Sequence, residues 1–133
     1  MKVLGIDLGK KRIGVALGDL KNHLVVGLPT LLNNAKIWAE LQQIIEREQI
    51  TKLIIGLPRT MAGQQGQQAN YTYKWGATAN RHLGIEVEYI DERLSSKMAR
   101  DGLAAIGQEL TKENIDQAAA VLILQGYLDR QQT

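Results

Sequence analysis

The chain has 133 residues, of which 44% are hydrophobic and 23% are charged, and its formal net charge is +2. It has no cysteine and only two histidines, which excludes disulfides and thiolate chemistry and leaves no histidine pair at zinc-ligand spacing. No apolar stretch reaches the about 18 residues of a transmembrane helix. We therefore expect one globular domain over residues 1–133, cytoplasmic, without a membrane partner, and present as a monomer or weak homodimer.

The hydrophobic pattern predicts strands and helices in the order βββαβαβαα. Two-residue alternation indicates strands, a continuous apolar run indicates a buried strand, and spacings of three and four residues indicate helices. The elements are strands over 2–8, 12–18 and 23–28, a helix over 34–49, a strand over 51–56, a helix over 71–83, a strand over 85–91, and helices over 95–106 and 112–130.

This order predicts the architecture. The three-residue turn at 9–11 indicates an antiparallel hairpin, and the later β-α-β crossovers indicate parallel strands. The fold class is therefore α/β, with a mixed five-stranded sheet and helices on both faces, which is the order of an RNase H-like fold. The two Gly-Leu-Pro triplets, at 27–29 and 56–58, should end strands because proline lacks an N–H donor. In the last helix we expect an inward face made of Ile115, Ala118, Ala119, Leu122 and Gly126.

Asp7 lies within the first apolar run, where a buried carboxylate is costly unless something positive stabilises it. Its neighbours on the same face of the predicted strand, Gly5 and Gly9, have no side chains. That leaves room for a ligand or for another backbone. The structural alternative is an aspartate that caps a turn at a strand end.

A second acidic position is the end of the strand over 85–91. Alternation places Asp91 on the apolar face of this strand and favours it over Glu92, but strand ends twist and both stay candidates. A solvated turn with a local Glu92–Arg93 ion pair is the structural alternative.

The third acid, Asp116, lies in the first turns of the last helix, on the flank of its expected buried face. Ala119 and Ala120 follow one turn later and would let the helix approach the sheet closely. The structural alternative is an acid that interacts with the positive N-terminus of the helix.

Together, acids at two strand ends and on one helix can converge on a single cleft. Clustered carboxylates repel one another unless a cation is present, and ligands that are all oxygen suit Mg²⁺ or Mn²⁺. Carboxylate clusters with a bound metal ion can activate water for phosphodiester cleavage. We therefore predict Asp7, Asp91 and Asp116 as metal ligands, with Glu92 as a further catalytic candidate.

Five segments in order resemble the signatures of the YqgF (RuvX) family: 5–9 (GIDLG), 12–16 (RIGVA), 56–58 (GLP), 91–95 (DERLS) and 116–119 (DQAA). The resemblance implies an RNase H-like fold related to the RuvC Holliday-junction resolvases. It also implies a nuclease that processes the 5′ end of the 16S rRNA precursor in the bacterial cytoplasm, with junction cleavage proposed for some members. The family's acidic site would fall on Asp7, the Asp91–Glu92 pair and Asp116. Asn114 and Gln117 flank Asp116 where a RuvC-like site has a second carboxylate, which predicts weak binding of a second ion.

Basic and helix-capping residues near these acids are candidates for binding nucleic-acid phosphates. A basic turn follows Asp7, two arginines follow strands, and a serine begins a helix whose amides can bind an anion. The candidates are Lys10, Lys11, Arg12, Arg59, Arg93 and Ser95. A basic turn that only increases solubility is the alternative for the first three. Tyr71 and Trp75 could stack on bases, but their helical spacing favours core positions.

The leading hypothesis is a metal-dependent endonuclease with structured RNA, pre-16S rRNA, as its partner and branched DNA as the alternative substrate. A second hypothesis is an actin-like ATPase, because residues 5–9 also resemble the first phosphate loop of that class. Those proteins close two such domains around ATP, however, and 133 residues supply one. A third is a non-catalytic RNA-binding module of ribosome assembly, in which Asp7→Asn should leave RNA binding unaffected.

Overall fold

The computed structural model of the protein describes residues 1–58, 66–92 and 95–131, and at positions 92, 95 and 96 it describes the backbone only. The order of strands and helices within these ranges confirms the predicted order. The elements are β1 (Lys2–Leu8), β2 (Arg12–Asp19), β3 (Leu24–Leu32), α1 (Ile37–Glu48), β4 (Ile50–Pro58), α2 (Gln67–Leu83), β5 (Glu86–Glu92), α3 (Ser95–Ala105) and α4 (Lys112–Gln131).

The strands form one mixed sheet in the order β3-β2-β1-β4-β5. β1 and β2 pair antiparallel, with Asp7 opposite Gly14, and β2 and β3 also pair antiparallel. β4 lies parallel to β1 and to β5, so that these three strands end at the same edge of the sheet. The predicted hairpin meander and parallel crossovers are both confirmed.

Helices cover both faces of the sheet. On one face, Leu4 and Ile6 of β1 belong to a core cluster with residues of α1 and α2. Trp75 of α2 is 8% exposed in this cluster, which confirms the prediction that it is a core residue. On the other face, Val3 of β1 and Ile54 of β4 pack with residues of α4, and we call this side the α4 face.

The prediction that Pro29 ends a strand is wrong. β3 continues through Pro29 to Leu32, whereas β4 extends to Pro58, after which residues 59–65 lie outside the described ranges. A proline is tolerated in β3 because this strand is at the sheet edge and needs no partner on its outer side. The register with β2 also shifts here, since Ile13 pairs with Leu31 and Val15 with Leu28.

The predicted inward face of α4 is right at Ala119 and wrong for the other four residues, which are not among the buried ones. The buried residues of this helix are Ala119, Ala120, Ile123, Leu124, Tyr127 and Leu128. Ala118 and Leu122, which were expected to face inward, instead line a cleft against α3. Because α4 packs on the sheet and also on α3, apolar residues occupy most of its circumference and periodicity cannot single out one face. No helix in the described ranges is long and apolar enough to cross a membrane.

Candidate functional site

Asp7 lies near the carboxyl end of β1 on the α4 face. A side chain at Gly5, its neighbour on this face, would contact Leu124 Cβ at 3.0 Å and the carbonyl oxygen of Ala120 at 3.2 Å. The space that the glycine leaves is therefore filled by the α4 helix, one of the two outcomes that the sequence allowed. Burial under the helix, and then the charge of Asp116, raise the pKa of the Asp7 carboxyl to about 6.

Asp116 is brought to Asp7 by the close approach of α4 to β2. Gly14, which pairs with Asp7 across the hairpin, lies directly against the backbone of Asp116. A Cβ at position 14 would overlap the carbonyl oxygen of Asp116, so only glycine permits this contact. The structure thus brings together two of the sequence-predicted acids, Asp7 and Asp116.

The first turns of α4 are also tied to the edge strand β3. Thr30 Oγ1 donates a hydrogen bond to the carbonyl oxygen of Glu113 at 2.9 Å. The side-chain amide of Gln117 donates to the carbonyl oxygen of Leu28, also at 2.9 Å. These bonds fix the helix start on either side of Asp116, and they give Gln117 an anchoring role.

Arg12 is the counter-ion of Asp116. Its Nε donates to Asp116 Oδ2 at 3.0 Å, and the two side chains are 24% and 23% exposed. Arg12 is a phosphate-binding candidate from its position in the basic turn, and its pairing with Asp116 does not follow from the sequence. Arg12 and Gly14 lie on the same face of β2, because side chains alternate along a strand. This alternation is the sequence feature that could have indicated that Arg12 faces α4.

At the end of β5, the alternation separates the two acidic positions. Glu88 contacts Lys52, and Ile90 packs with residues of α4, so positions 86, 88 and 90 belong to the α4 face. Tyr89 packs against the opposite core cluster, and Asp91, which is exposed, belongs to its set. The structure therefore does not place Asp91 on the face of Asp7. Within the described residues no three acidic or histidine side chains form a metal-binding group.

The Asp7–Asp116 pair has the donor chemistry that a divalent cation requires. Both side chains offer only oxygen, and Mg²⁺ in proteins is commonly held by one or two carboxylates while it keeps several waters. Within the described ranges no hydrogen bond reaches the Asp7 carboxylate, whose ionised form is disfavoured. Two carboxylates that repel each other, with one guanidinium to compensate them, leave a net negative charge. This arrangement is suited to bind a divalent cation.

The basic turn between β1 and β2 is held in a defined shape. Lys10 and Lys11 are exposed there, and the Gly9 amide donates to the carbonyl oxygen of Arg12 at 3.0 Å. Asn33 donates its backbone N–H to the carbonyl oxygen of Lys11 and its side-chain amide to that of Gly9, each at 2.9 Å. Arg59 and Arg93 lie outside the described residues. Ser95 begins α3 as expected, and its side chain is outside the description.

Comparison with known proteins identifies the family. The model of the RuvX family, described as Holliday junction resolvase, matches residues 1–130. The chain belongs to the RuvX family. A relative from Thermosynechococcus vestitus is 43% identical over 138 residues, with 100% of this chain and 91% of that protein covered. One from Sulfurihydrogenibium sp. (strain YO3AOP1) is 39% identical over 131 residues, with 97% and 90% covered. Each carries the name "Putative pre-16S rRNA nuclease".

Solved structures confirm the RNase H-like fold of this RuvX chain. Thermus thermophilus RuvC in complex with a Holliday junction matches with a TM-score of 0.59 at 15% identity, covering 100% of this chain and 97% of RuvC. The fowlpox virus Holliday junction resolvase matches with a TM-score of 0.54 at 10% identity, covering 98% and 99%. Both the family resemblance and the fold class predicted from the sequence are confirmed.

Two functional features of the RuvX chain were missed in the sequence. One is the Arg12–Asp116 ion pair, which joins residues 104 positions apart. The other is Asn33, which holds the basic turn and also donates to the Tyr71 hydroxyl at 2.9 Å. Neither residue follows a local pattern that indicates its partner, because both partners become neighbours only when the sheet and helices assemble.

Proposed function

We propose that this RuvX chain is a divalent-metal-dependent endonuclease that hydrolyses phosphodiester bonds at the 5′ end of pre-16S rRNA in the cytoplasm. The observation that carries the proposal is the Asp7–Asp116 pair, in which burial and then the charge of Asp116 raise the pKa of Asp7 to about 6. A site with this excess of negative charge gains stability when a cation binds. The names of the relatives from two organisms support the choice of substrate.

Asp7 and Asp116 would hold Mg²⁺ or Mn²⁺, both of which accept carboxylate oxygens. When bound, the ion supplies a water of lowered pKa and neutralises charge on the phosphate. Asp7 is presented from the rigid end of β1. Asp116 is presented from a helix start that is fixed against Gly14 and β3. Preorganised carboxylates of this kind need no rearrangement when the substrate arrives.

We assign the third carboxylate to Glu92, with Asp91 as the alternative. Position 92 continues the alternate set of Glu88 and Ile90 on the α4 face, which is also the face of Asp7. Glu92→Gln is expected to lower the cleavage rate by about 100-fold, as loss of a metal ligand does, while Asp91→Asn should change it by less than about threefold. The reverse order of effects would return the role to Asp91.

Nucleic acid would lie along the edge where β1, β4 and β5 end. The exposed Lys10 and Lys11 follow Asp7 in the anchored turn and can bind phosphates beside the scissile one. The further proposed contacts are Arg59, Arg93 and Ser95. Each lysine that contacts a phosphate should lower the salt dependence of RNA binding by about one unit of slope when it is removed.

Cleavage of branched DNA is the second candidate function. The family description and the junction held by Thermus thermophilus RuvC favour it. Resolving a junction takes two cuts, and therefore two copies of the site in a symmetric dimer, whereas one cut at an RNA end takes one copy. The oligomeric state during cleavage is thus informative, and we favour a monomer or weak homodimer.

The test compares an RNA that spans the 5′ end of precursor 16S rRNA with a four-way DNA junction, each with Mn²⁺, Mg²⁺ or EDTA. Wild type is compared with Asp7→Asn and with Glu88→Gln, a matched loss of one carboxylate on the same face. We expect metal-dependent cutting of the RNA, a loss of about 100-fold or more in Asp7→Asn, and a change below about twofold in Glu88→Gln. Retained cleavage in Asp7→Asn would overturn the proposal. Cleavage of the junction alone would keep the chemistry and change the substrate.

A further inference from the structure

Arg12 occupies one oxygen of a carboxylate that two metal ions would have to share. In two-metal sites the ions lie about 4 Å apart and share carboxylate ligands. Here one oxygen of Asp116 already accepts a hydrogen bond from Arg12 Nε at 3.0 Å. The guanidinium places a positive charge directly at this carboxylate.

Both ends of this ion pair are held in place. Arg12 is the first residue of β2, where its carbonyl oxygen accepts the Gly9 amide at 3.0 Å and its backbone pairs with Leu32 of β3. Asp116 lies against Gly14 in a helix start that is bonded to β3. Because neither backbone can move away without breaking these contacts, the pair is a fixed part of the site.

The nearest other carboxylate of α4 is Glu113, one turn before Asp116, but it is exposed and forms no metal-binding group with Asp7 and Asp116 among the described residues. Gln117 follows Asp116, and the Gln117 amide is engaged with the carbonyl oxygen of Leu28 at 2.9 Å. Asp7 and Asp116 carry two negative charges, and Arg12 offsets one of them. One divalent cation already exceeds the remaining negative charge, so a second ion would add repulsion without a further carboxylate among the described side chains to hold it.

We infer that the Arg12 guanidinium takes the place of a second metal ion, so that the site binds a single divalent cation. This inference rests on the proposed function, since it concerns the same metal site. It makes Arg12 a positioning residue that acts through Asp116, and it separates Arg12 from the phosphate-binding lysines at positions 10 and 11.

The test counts bound Mn²⁺ by electron paramagnetic resonance of the free ion, without nucleic acid. The equivalents present in wild type and absent in Asp7→Asn belong to the site. We expect one equivalent in wild type, two in Arg12→Gln, and one again in Arg12→Lys, which restores the charge. Lys11→Gln removes a neighbouring charge that does not contact Asp116 and should keep one equivalent.

Two equivalents in wild type, or one in Arg12→Gln, would overturn the inference and leave the proposed nuclease intact. The wild-type count needs no variant and stands even if Arg12→Gln does not fold. Absence of any Asp7-dependent Mn²⁺ in wild type would overturn the proposed metal site as well.

The salt dependence of RNA binding, measured in EDTA without metal, provides a second test. It would change in the Arg12 variant if Arg12 bound a phosphate. Arg12→Gln should keep the salt slope of wild type because its side chain is engaged with Asp116, while Lys11→Gln should lower the slope by about one. An equal decrease in both variants would assign Arg12 to phosphate and overturn the inference.

Discussion

Two charged clusters lie on the α4 face of the sheet, and each combines two carboxylates with one cation. At the amino ends of β4 and β5, Lys52 Nζ contacts Glu86 at 3.0 Å and Glu88 at 2.9 Å. At the carboxyl end of β1, Arg12 contacts Asp116. Within the described residues, no donor contacts the Asp7 carboxylate.

The difference appears in the pKa values of the two clusters. Hydrogen bonds from Lys52 to Glu88 and Glu86 raise the pKa of this lysine well above its usual range, because the pairing favours its charged form. Burial and the charge of Asp116 raise the pKa of Asp7 to about 6, which disfavours its charged form. The Lys52 cluster is thus structural, because each of its charges has a partner. The Arg12 cluster has the same composition but is suited to bind a ligand, because the Asp7 carboxylate has no partner among the described residues.

The largest expected effect concerns the contact of α4 with the sheet at the two ends of the helix. Gly14→Ala should lower the free energy of unfolding by about 3 kcal/mol, because the new methyl group overlaps the Asp116 carbonyl oxygen and forces the helix away. Gly126→Ala, at the Lys52 end, is the control. Its Cβ would lie 3.8 Å from Ile90 Cδ1, so the change should stabilise the helix by about 0.5–1 kcal/mol. Urea unfolding measures the stability of both variants. If the two variants lost similar stability, α4 would not approach the sheet more closely at Gly14 than at Gly126.

Next in size is the cost of ionising Asp7. Its folded pKa of about 6 lies above the ordinary value of 3.8, so the folded chain binds this proton more tightly than the unfolded chain. The contribution of Asp7 to stability is therefore present at low pH and is lost as pH rises between these values, in total about 3 kcal/mol. Without metal, Asp7→Asn should match wild type near pH 4 and exceed it by about 2–3 kcal/mol near pH 7.5.

Urea unfolding across this pH range, with EDTA present, measures the difference between the two proteins. Adding Mn²⁺ near neutral pH should stabilise wild type and not the variant, because only the intact carboxylate pair binds the ion in the folded state. A difference that does not change with pH would show that Asp7 is as well compensated as the glutamates around Lys52.

The smallest expected effect is at the satisfied cluster. Lys52→Gln should lower the free energy of unfolding by about 1 kcal/mol, because the side chains of Glu86 and Glu88 are 65% and 44% exposed and water screens their repulsion. Lys21→Gln, at an exposed position, is the control and should change stability by less than about 0.5 kcal/mol. Cleavage by Lys52→Gln should remain within about twofold of wild type, and a larger loss would link this cluster to catalysis.

Local patterns predicted the fold well, and the reason can be seen in particular elements. The bounds of β1, residues 2–8, are those observed, since alternation, the glycine turn and a buried core agree there. The extension of β3 beyond Pro29 was missed because its edge position depends on the order of the strands, which a local pattern does not contain.

The site was predictable in its residue types and less so in its pairings. A buried aspartate in β1 and an acid at the start of a helix suggested the Asp7–Asp116 pair. Alternation within β5 could not show which face α4 covers, so Asp91 was favoured over Glu92 as a ligand, and that role stays a prediction. The Arg12–Asp116 bond depends on the depth at which the helix packs, and this depth is set by Gly14.

The long separation between the parts of the site has a consequence for how the protein is made. Arg12 and Asp116 are 104 residues apart, and α4 is the last helix of the chain. A nascent chain acquires Asp116 beside Asp7 only after α4 has left the ribosome and has docked on the sheet. Chains in which α4 has not yet docked therefore lack the carboxylate pair that we propose as the metal site.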